Sequence, residues 1–198
     1  MKRWAAGSNC DEIAAKWNRA RVLGRPFILT ATLPPGIQSW AENLRQTYYP
    51  AHRNQLHAHV TMFHSFAPSL LEELSDWLPT LTREFAAPQA EVSGLLDLET
   101  GTAIALRSEQ LLTLRAIIAE HFHGSLTAQD LYEPRPHITI QNKVTKREAR
   151  ALQAELKPEV ASKTASGVFA FPSMELHLYQ NGPWEMVKRL PFRGRVSL

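Results

Sequence analysis

The chain has 198 residues, with 22 Lys+Arg against 19 Asp+Glu, eight His, one Cys and 44% hydrophobic content. That apolar fraction offsets the entropy of ordering one compact unit or two small lobes, which excludes a disordered chain. The scattered 9 Gly and 13 Pro exclude collagen and coiled coils, and the lone Cys10 forms neither an internal disulfide nor a Cys-based metal cage, so a reducing, cytoplasmic setting is expected.

Charge is uneven along the chain: residues 1–25 carry +4, residues 183–198 carry +3 and the body between them carries −4. Such ends read either as solvated tails or as a positive rim that gathers a polyanion such as RNA. No apolar run approaches the ~20 residues that a bilayer requires. Met1 to Gly7 begins with charge but has no apolar stretch behind it, so no secretory signal is expected.

Asp11 to Arg21 has few large apolar residues and reads as a short amphipathic helix in an appendage over residues 1–24. Phe27 to Leu33 is a strand stopped by Pro34-Pro35-Gly36. A helix follows over about 38–48, then a strand over Leu56 to Phe66. Ser69-Leu70-Leu71-Glu72 has the form of a capping box, which predicts a helix over 69–85. Ala90 to Leu98 and Thr102 to Leu106 flank Glu99-Thr100-Gly101 as a hairpin.

Ser108 then opens a helix to about His121, with Leu111, Leu114 and Ile118 on one face. His137 to Val144 is a strand, and Thr145 with Glu148 is a second capping box, opening a helix to about Leu156. Strands follow at about 166–171, 173–180 and 184–190, the last two joined at Asn181-Gly182, with a basic tail over 193–198. Each half, about 25–106 and 107–192, runs strand, helix, strand, helix, strands. This is an internal duplication visible in element order.

The middle strand of each half carries one pattern, His59-Val60-Thr61-Met62 and His137-Ile138-Thr139-Ile140. Alternate side chains of a strand share a face, so each His and Thr stand together, about 6–7 Å apart, while the apolar pair faces the core. Composition alone predicts about 0.1 such tetrapeptides in a chain of this length. Two copies at corresponding places in duplicated halves point to one cleft with both pairs aimed into it. Two imidazoles there can act as base and acid on opposite sides of one centre, and two hydroxyls can donate to oxygens between them. A phosphodiester suits that arrangement, and its cleavage by two imidazoles needs no metal.

Paired His-x-Thr-x motifs 78 positions apart in a duplicated α+β chain resemble the 2H phosphoesterase superfamily, specifically its 2′-5′ RNA ligase-like branch of RNA 2′,3′-cyclic phosphodiesterases. Arg25-Pro26-Phe27 leading to Leu33-Pro34-Pro35, Pro136 before the second motif, and Leu176-His177-Leu178-Tyr179 followed by Gly182-Pro183-Trp184 extend the likeness over about residues 25–192. The resemblance implies an α+β, bilobal fold with pseudo-two-fold lobes, antiparallel sheets flanking a central cleft and helices outside. It implies His59 and His137 as the acid/base pair and Thr61 and Thr139 as phosphate ligands, acting on RNA ends or small cyclic nucleotide phosphates. The implied reaction opens a 2′,3′-cyclic phosphate to a 2′-phosphomonoester, with 2′-5′ RNA joining as a companion activity and no cofactor. Two departures stand out: Ala58 replaces the Pro usual before the first motif, and His64 stands where the family more often has an apolar residue.

His57 shares the face of His59 and Thr61 if the strand is regular, and Gln141 continues that of His137 and Thr139, so both are candidates to line the cleft. His57-Ala58-His59 is also half of a possible zinc site, but nothing in the sequence completes it and no metal is expected. His64 falls on the face of Val60 and Met62, which gives it a core or edge role. Phe63, Tyr132, Tyr179 and Trp184 are either stacking platforms for a base or packing residues, and Arg135 is a candidate to neutralise phosphate. A monomer is expected. The rival reading is a noncatalytic RNA- or nucleotide-binding protein using the same cleft; intact His and Thr in both motifs favour the enzyme, because binding alone needs no pair of proton-transfer groups.

Overall fold

Phe27–Ala31 (β1) is buried at every residue and is paired with a strand on each edge. It begins a chain that the computed structural model describes over residues 24–165 and 167–198. The helix expected over Asp11 to Arg21 lies outside them, as does Cys10. The following elements are Pro35–Tyr48 (α1), Val60–Phe66 (β2), Leu71–Glu84 (α2), Gln89–Asp97 (β3), Gly101–Arg107 (β4), Glu109–His121 (α3) and the single turn Ala128–Leu131 (α4). His137–Asn142 (β5), Lys146–Thr164 (α5), Phe169–Ala170 (β6), Ser173–Tyr179 (β7) and Trp184–Pro191 (β8) complete the fold.

The strands form one antiparallel sheet in the order β6-β3-β4-β5-β2-β1-β7-β8. Its two wings meet between β5 and β2, where the register records one pair, Val60 opposite Ile138. About that seam the runs β1-α1-β2-α2-β3 and β4-α3-β5-α5-β7 take corresponding places, so the second run opens with β4 and the halves divide in the β3–β4 turn, not at residues 106/107 as expected, because β4 is the counterpart of β1 across the seam. The third strand of each run pairs in the other wing: β3 lies on β4 and β7 on β1. The fold is therefore α+β with two related lobes, and the duplication is real in topology. One apolar core runs through both, from Phe27 and Phe66 to Ile104 and Ile138. Among the described residues no helix is long and apolar enough to cross a membrane.

Differences from the sequence expectations have local causes. α1 begins at Pro35, whose fixed φ and missing N–H suit a first helical position. Ser69 caps nothing: Pro68 starts a 3₁₀ turn one step earlier, and α2 opens from Leu70 without a side-chain cap. α2 tolerates Pro79 because the Ser75 carbonyl that this leaves unpaired accepts from Lys188 Nζ at 2.7 Å. α5 opens on the expected Thr145–Glu148 capping box but runs past Pro158 to Thr164, since Leu152, Leu156 and Val160 continue its buried stripe. The β7–β8 turn spans Gln180 to Pro183, with Asn181 alone at positive φ, 61°. Residues 193–196, expected in a basic tail, dock on the end of α2: Arg193 N–H donates to Thr82 O at 2.7 Å and Val196 N–H to Glu84 O at 3.2 Å.

Candidate active site

β2 starts at Val60 rather than Leu56 because α1 claims the backbone in front of it. Gln38, Glu42 and Arg45 lie on one face of that helix. Gln38 Nε2 donates to Ala58 O at 3.0 Å, Ala58 N–H donates to Glu42 Oε1 at 2.7 Å, and Arg45 Nη2 donates to Leu56 O at 2.9 Å. The N–H of Ala58 is thus in use.

The seam pairs Val60, 1% exposed, with Ile138, fully buried, both facing the core. Antiparallel register on either side of this pair sets His59 against Thr139 and Thr61 against His137. All four side chains stand half-buried on the opposite face. The sheet therefore brings together the four residues singled out from the two tetrapeptides. The two imidazoles are held alike: His59 Nδ1 lies 2.7 Å from the His57 carbonyl and His137 Nδ1 lies 2.6 Å from the Arg135 carbonyl. A carbonyl only accepts, so each Nδ1 carries the proton and each Nε2 presents its lone pair.

Burial pushes the His59 imidazolium down to about 4, helped by the charges of Arg45, His177 and His137 and opposed by the hydrogen bond to His57. His137 is also lowered, by burial first and then by the charges of His64 and Arg135, against the hydrogen bond to Arg135 O.

Each motif strand carries a β-bulge straight after its threonine. Thr61 pairs with Thr30 but Phe63 with Leu29, and Thr139 pairs with Ala103 but Gln141 with Thr102. One residue is extra in each case, so alternation breaks and the next side chain turns into the core. Phe63, expected to line the cleft, is instead fully buried against Phe66 at 5.0 Å. Gln141, expected on the same face as Thr139, is 7% exposed and turned with Thr102 toward α5. His64, expected on the core face with Met62, is turned outward by the same bulge onto Asp130. Gly101 permits the second bulge, since a Cβ there would collide with the Gln141 carbonyl.

Hollows flank the seam. On the His59 side a groove of about 820 Å³ is lined by His57, His59, Glu175, His177, Trp184 and Arg189, among others. His57 lies on its rim outside any strand, 96% exposed, with Nδ1 3.1 Å from Glu42 Oε1. The Trp184 ring lies 4.8 Å from that of His59 and 5.5 Å from that of His177, while Tyr179 stands opposite Trp184 across the β7–β8 pair. Thr30 Oγ1, His177 Nε2, Glu175 and Arg189 form a chain of contacts, with His177 and Arg189 holding Glu175 below the usual carboxylate range against its burial. Sequence reasoning gave no site role to Thr30 or Glu175, and noted His177 only as part of the closing hairpin. Only strand pairing across about 147 positions brings Thr30 and His177 together. On the His137 side a pocket of about 240 Å³ is lined by Thr61, His64, Tyr132, Arg135 and His137. Among the described residues no group of three His, Cys, Asp or Glu is placed to hold a metal ion.

Two arginines hold the seam from behind. Arg45 of α1, 4% exposed, donates from Nη1 to Thr139 O at 2.7 Å and stacks over Tyr49 at 4.5 Å. Arg115 of α3 donates from Nε to Met62 O at 3.0 Å and from Nη2 to Asp130 O, and stacks over Phe63 at 4.6 Å. Each helix thus ties the segment leading into one motif to the strand carrying the other.

No curated protein matches the chain. Its fold resembles TT0787 of Thermus thermophilus, 14% identical over 86% of this chain and 100% of that one, with a TM-score of 0.59. It also resembles E. coli LigT complexed with 3′-AMP, 14% identical over 85% of this chain and 98% of LigT, TM-score 0.51, and LigT complexed with phosphate, 12% identical, TM-score 0.51. Those identities speak for the fold alone. Residues 33–182 match the 2′-5′ RNA ligase superfamily, a stretch that contains both tetrapeptides, the seam and the two arginines behind it. On that match the chain belongs to the 2′-5′ RNA ligase superfamily, within the 2H phosphoesterases.

Proposed function

We propose that the chain is a phosphodiesterase that opens 2′,3′-cyclic phosphates, on RNA ends or small nucleotides, to 2′-phosphomonoesters. The observation that carries this reading is the pair of equally held imidazoles facing one another across two threonines, each with Nδ1 fixed and Nε2 available. Membership of a phosphoesterase superfamily supports an enzyme, and the LigT structures with phosphate and 3′-AMP support a nucleotide phosphate as ligand.

In the proposed reaction water attacks phosphorus while His59 Nε2 takes its proton. The P–O3′ bond breaks, and His137, entering as imidazolium, gives its Nε2 proton to O3′. Thr61 and Thr139 donate to the nonbridging oxygens, where charge accumulates. His59 takes the role of base because its proton is the more strongly depressed of the two. With the 5′-hydroxyl of a second RNA in place of water, the same transfers leave a 2′-5′ linkage. Both proton transfers have a protein group, so the reaction runs without a metal.

The test is hydrolysis of adenosine 2′,3′-cyclic phosphate, and of an RNA with that end, in EDTA. His59→Ala and His137→Ala should each lower kcat by about 10³ or more, within the range for one acid–base group. Thr61→Val and Thr139→Val should each cost about 10². Tight binding without turnover by the unaltered protein would replace the enzyme with a nucleotide-binding protein, and turnover abolished by EDTA would bring a metal back.

A further inference from the structure

The pocket beside His137 contains an acid–base pair that the proposed reaction does not use. Asp130 is 1% exposed, and its carboxylate accepts from the N–H groups of His64 at 2.9 Å and Ser65 at 3.1 Å, from Thr127 Oγ1 at 3.2 Å and from His64 Nδ1 at 2.9 Å. Burial opposes its charge, but the hydrogen bonds from the His64 ring and from the backbone outweigh that and keep Asp130 below the usual carboxylate range. The ring of His64 is therefore oriented by a buried anion, with Nε2 turned away on a side chain 44% exposed. Since Nδ1 already donates to Asp130, Nε2 is the ring atom left to meet a ligand in the pocket, and it donates to an anion there when both ring nitrogens carry a proton.

That imidazole forms the wall of the 240 Å³ pocket together with Thr61, Tyr132, Arg135 and His137, while Glu133 sits exposed at the rim. Arg115, also on the wall, is committed to carbonyls. The Arg135 guanidinium has no hydrogen bond or ion pair among the described residues and stands exposed at the mouth. His64 and Arg135 both lie close enough to His137 for their charges to depress it. The volume is below that of pockets that enclose a drug-sized molecule, about 300–1,000 Å³, and suits a phosphate with its ester substituents. From Thr61 to His64 the strand advances at most about 10 Å, within reach of one nucleotide.

We infer that this pocket is a second phosphate subsite, in which His64 Nε2 and the Arg135 guanidinium take a phosphate one nucleotide away from the one between His59 and His137. Resting on the phosphodiesterase reading, it narrows the substrate class to nucleotides or RNA ends that carry a second phosphate. The same chemistry comes from two sources, the internucleotide phosphodiester of an RNA and a terminal 5′-phosphomonoester.

The experiment compares kcat/KM for four substrates ending in a 2′,3′-cyclic phosphate: adenosine, adenosine 5′-phosphate, the dinucleotide ApA, and ApA with a neutral methylphosphonate linkage. The unaltered protein should favour the bisphosphate or the dinucleotide over plain adenosine by about tenfold, about 1.4 kcal/mol, and the favoured arm names the source. The methylphosphonate should lose any dinucleotide advantage. In His64→Asn, which keeps a donor to Asp130 but has no Nε2, and in Arg135→Gln, the ratio should fall toward one. A ratio that survives both variants, or no preference in the unaltered protein, overturns the subsite. If nothing is turned over, the phosphodiesterase reading fails by itself, and calorimetric binding of adenosine 2′,5′-bisphosphate against adenosine 2′-phosphate decides the subsite. A tenfold difference lost in His64→Asn supports it, and equal affinities sink it.

Discussion

Fixing Nδ1 of each motif histidine on the carbonyl two residues upstream decides what each ring can do, and burial decides at which pH it does so. A base is lost as pH falls through its pKa, and an acid is lost as pH rises through its own. With His59 near 4 and His137 below 6.5 in the free protein, kcat/KM should be a bell with both limbs on the acid side of neutrality. Symmetric imidazoles of ordinary pKa would instead place both limbs near neutrality. A bound phosphate anion favours the imidazolium, so the kcat profile should lie at higher pH than that of kcat/KM. A kcat/KM that stays level from pH 6.5 to 8 would contradict the assignment. Desolvation is the main cause at His59 and the Trp184 ring supplies part of the cover, so Trp184→Ala should move the acid limb upward toward the ordinary value. The four motif side chains were legible in the sequence because one tetrapeptide recurred at matching places. Their electrostatic setting was not, since His177 and Arg45 reach His59 only through strand pairing and helix packing.

Two bulges and two arginines give the elements their arrangement at the seam. A regular alternation along β2 and β5 would have put Phe63 and Gln141 into the cleft and His64 into the core. The bulges reverse all three, and nothing in a tetrapeptide pattern announces an extra residue. Element order and type were legible, as were the Ser108 and Thr145 caps, because periodicity and capping are local signals. The start of β2 was not, since it depends on α1 side chains taking the backbone of residues 56–58. Because the register joins β2 and β5 through one pair, the guanidinium bonds across them carry much of the seam's geometry. Arg45→Ala leaves Thr139 O, Leu56 O and Asn54 Oδ1 without this donor and should cost on the order of 3 kcal/mol in urea unfolding. It should also lower kcat/KM about tenfold or more by misplacing His59 against Thr139. Arg45→Lys, with three donors but no planar fork, should recover only part of both. Unaltered stability in Arg45→Ala would show that the seam is held by other contacts.

Across the whole molecule the exchange of third strands matters more than the duplication itself. β3 leaves the first half to pair with β4, and β7 leaves the second to pair with β1, so each wing contains strands from both halves. Neither half can close its sheet or cover its core face alone, although each has the length of a small domain. The apolar core is likewise one cluster, with Leu29 and Met174 in the same body as Ile104 and Leu156. Unfolding should therefore be one cooperative transition, with coincident urea curves by far-ultraviolet circular dichroism and by tryptophan fluorescence. Cutting the chain in the β3–β4 turn, between Glu99 and Thr100, sharpens the test because it separates the exchanged strands from their partners while breaking no strand. Each fragment alone should lack a cooperative transition, and an equimolar mixture should recover it together with turnover. A fragment that unfolds cooperatively without its complement would mean that a wing folds from one half. The seam would then be an interface between two independent lobes instead of the centre of one sheet.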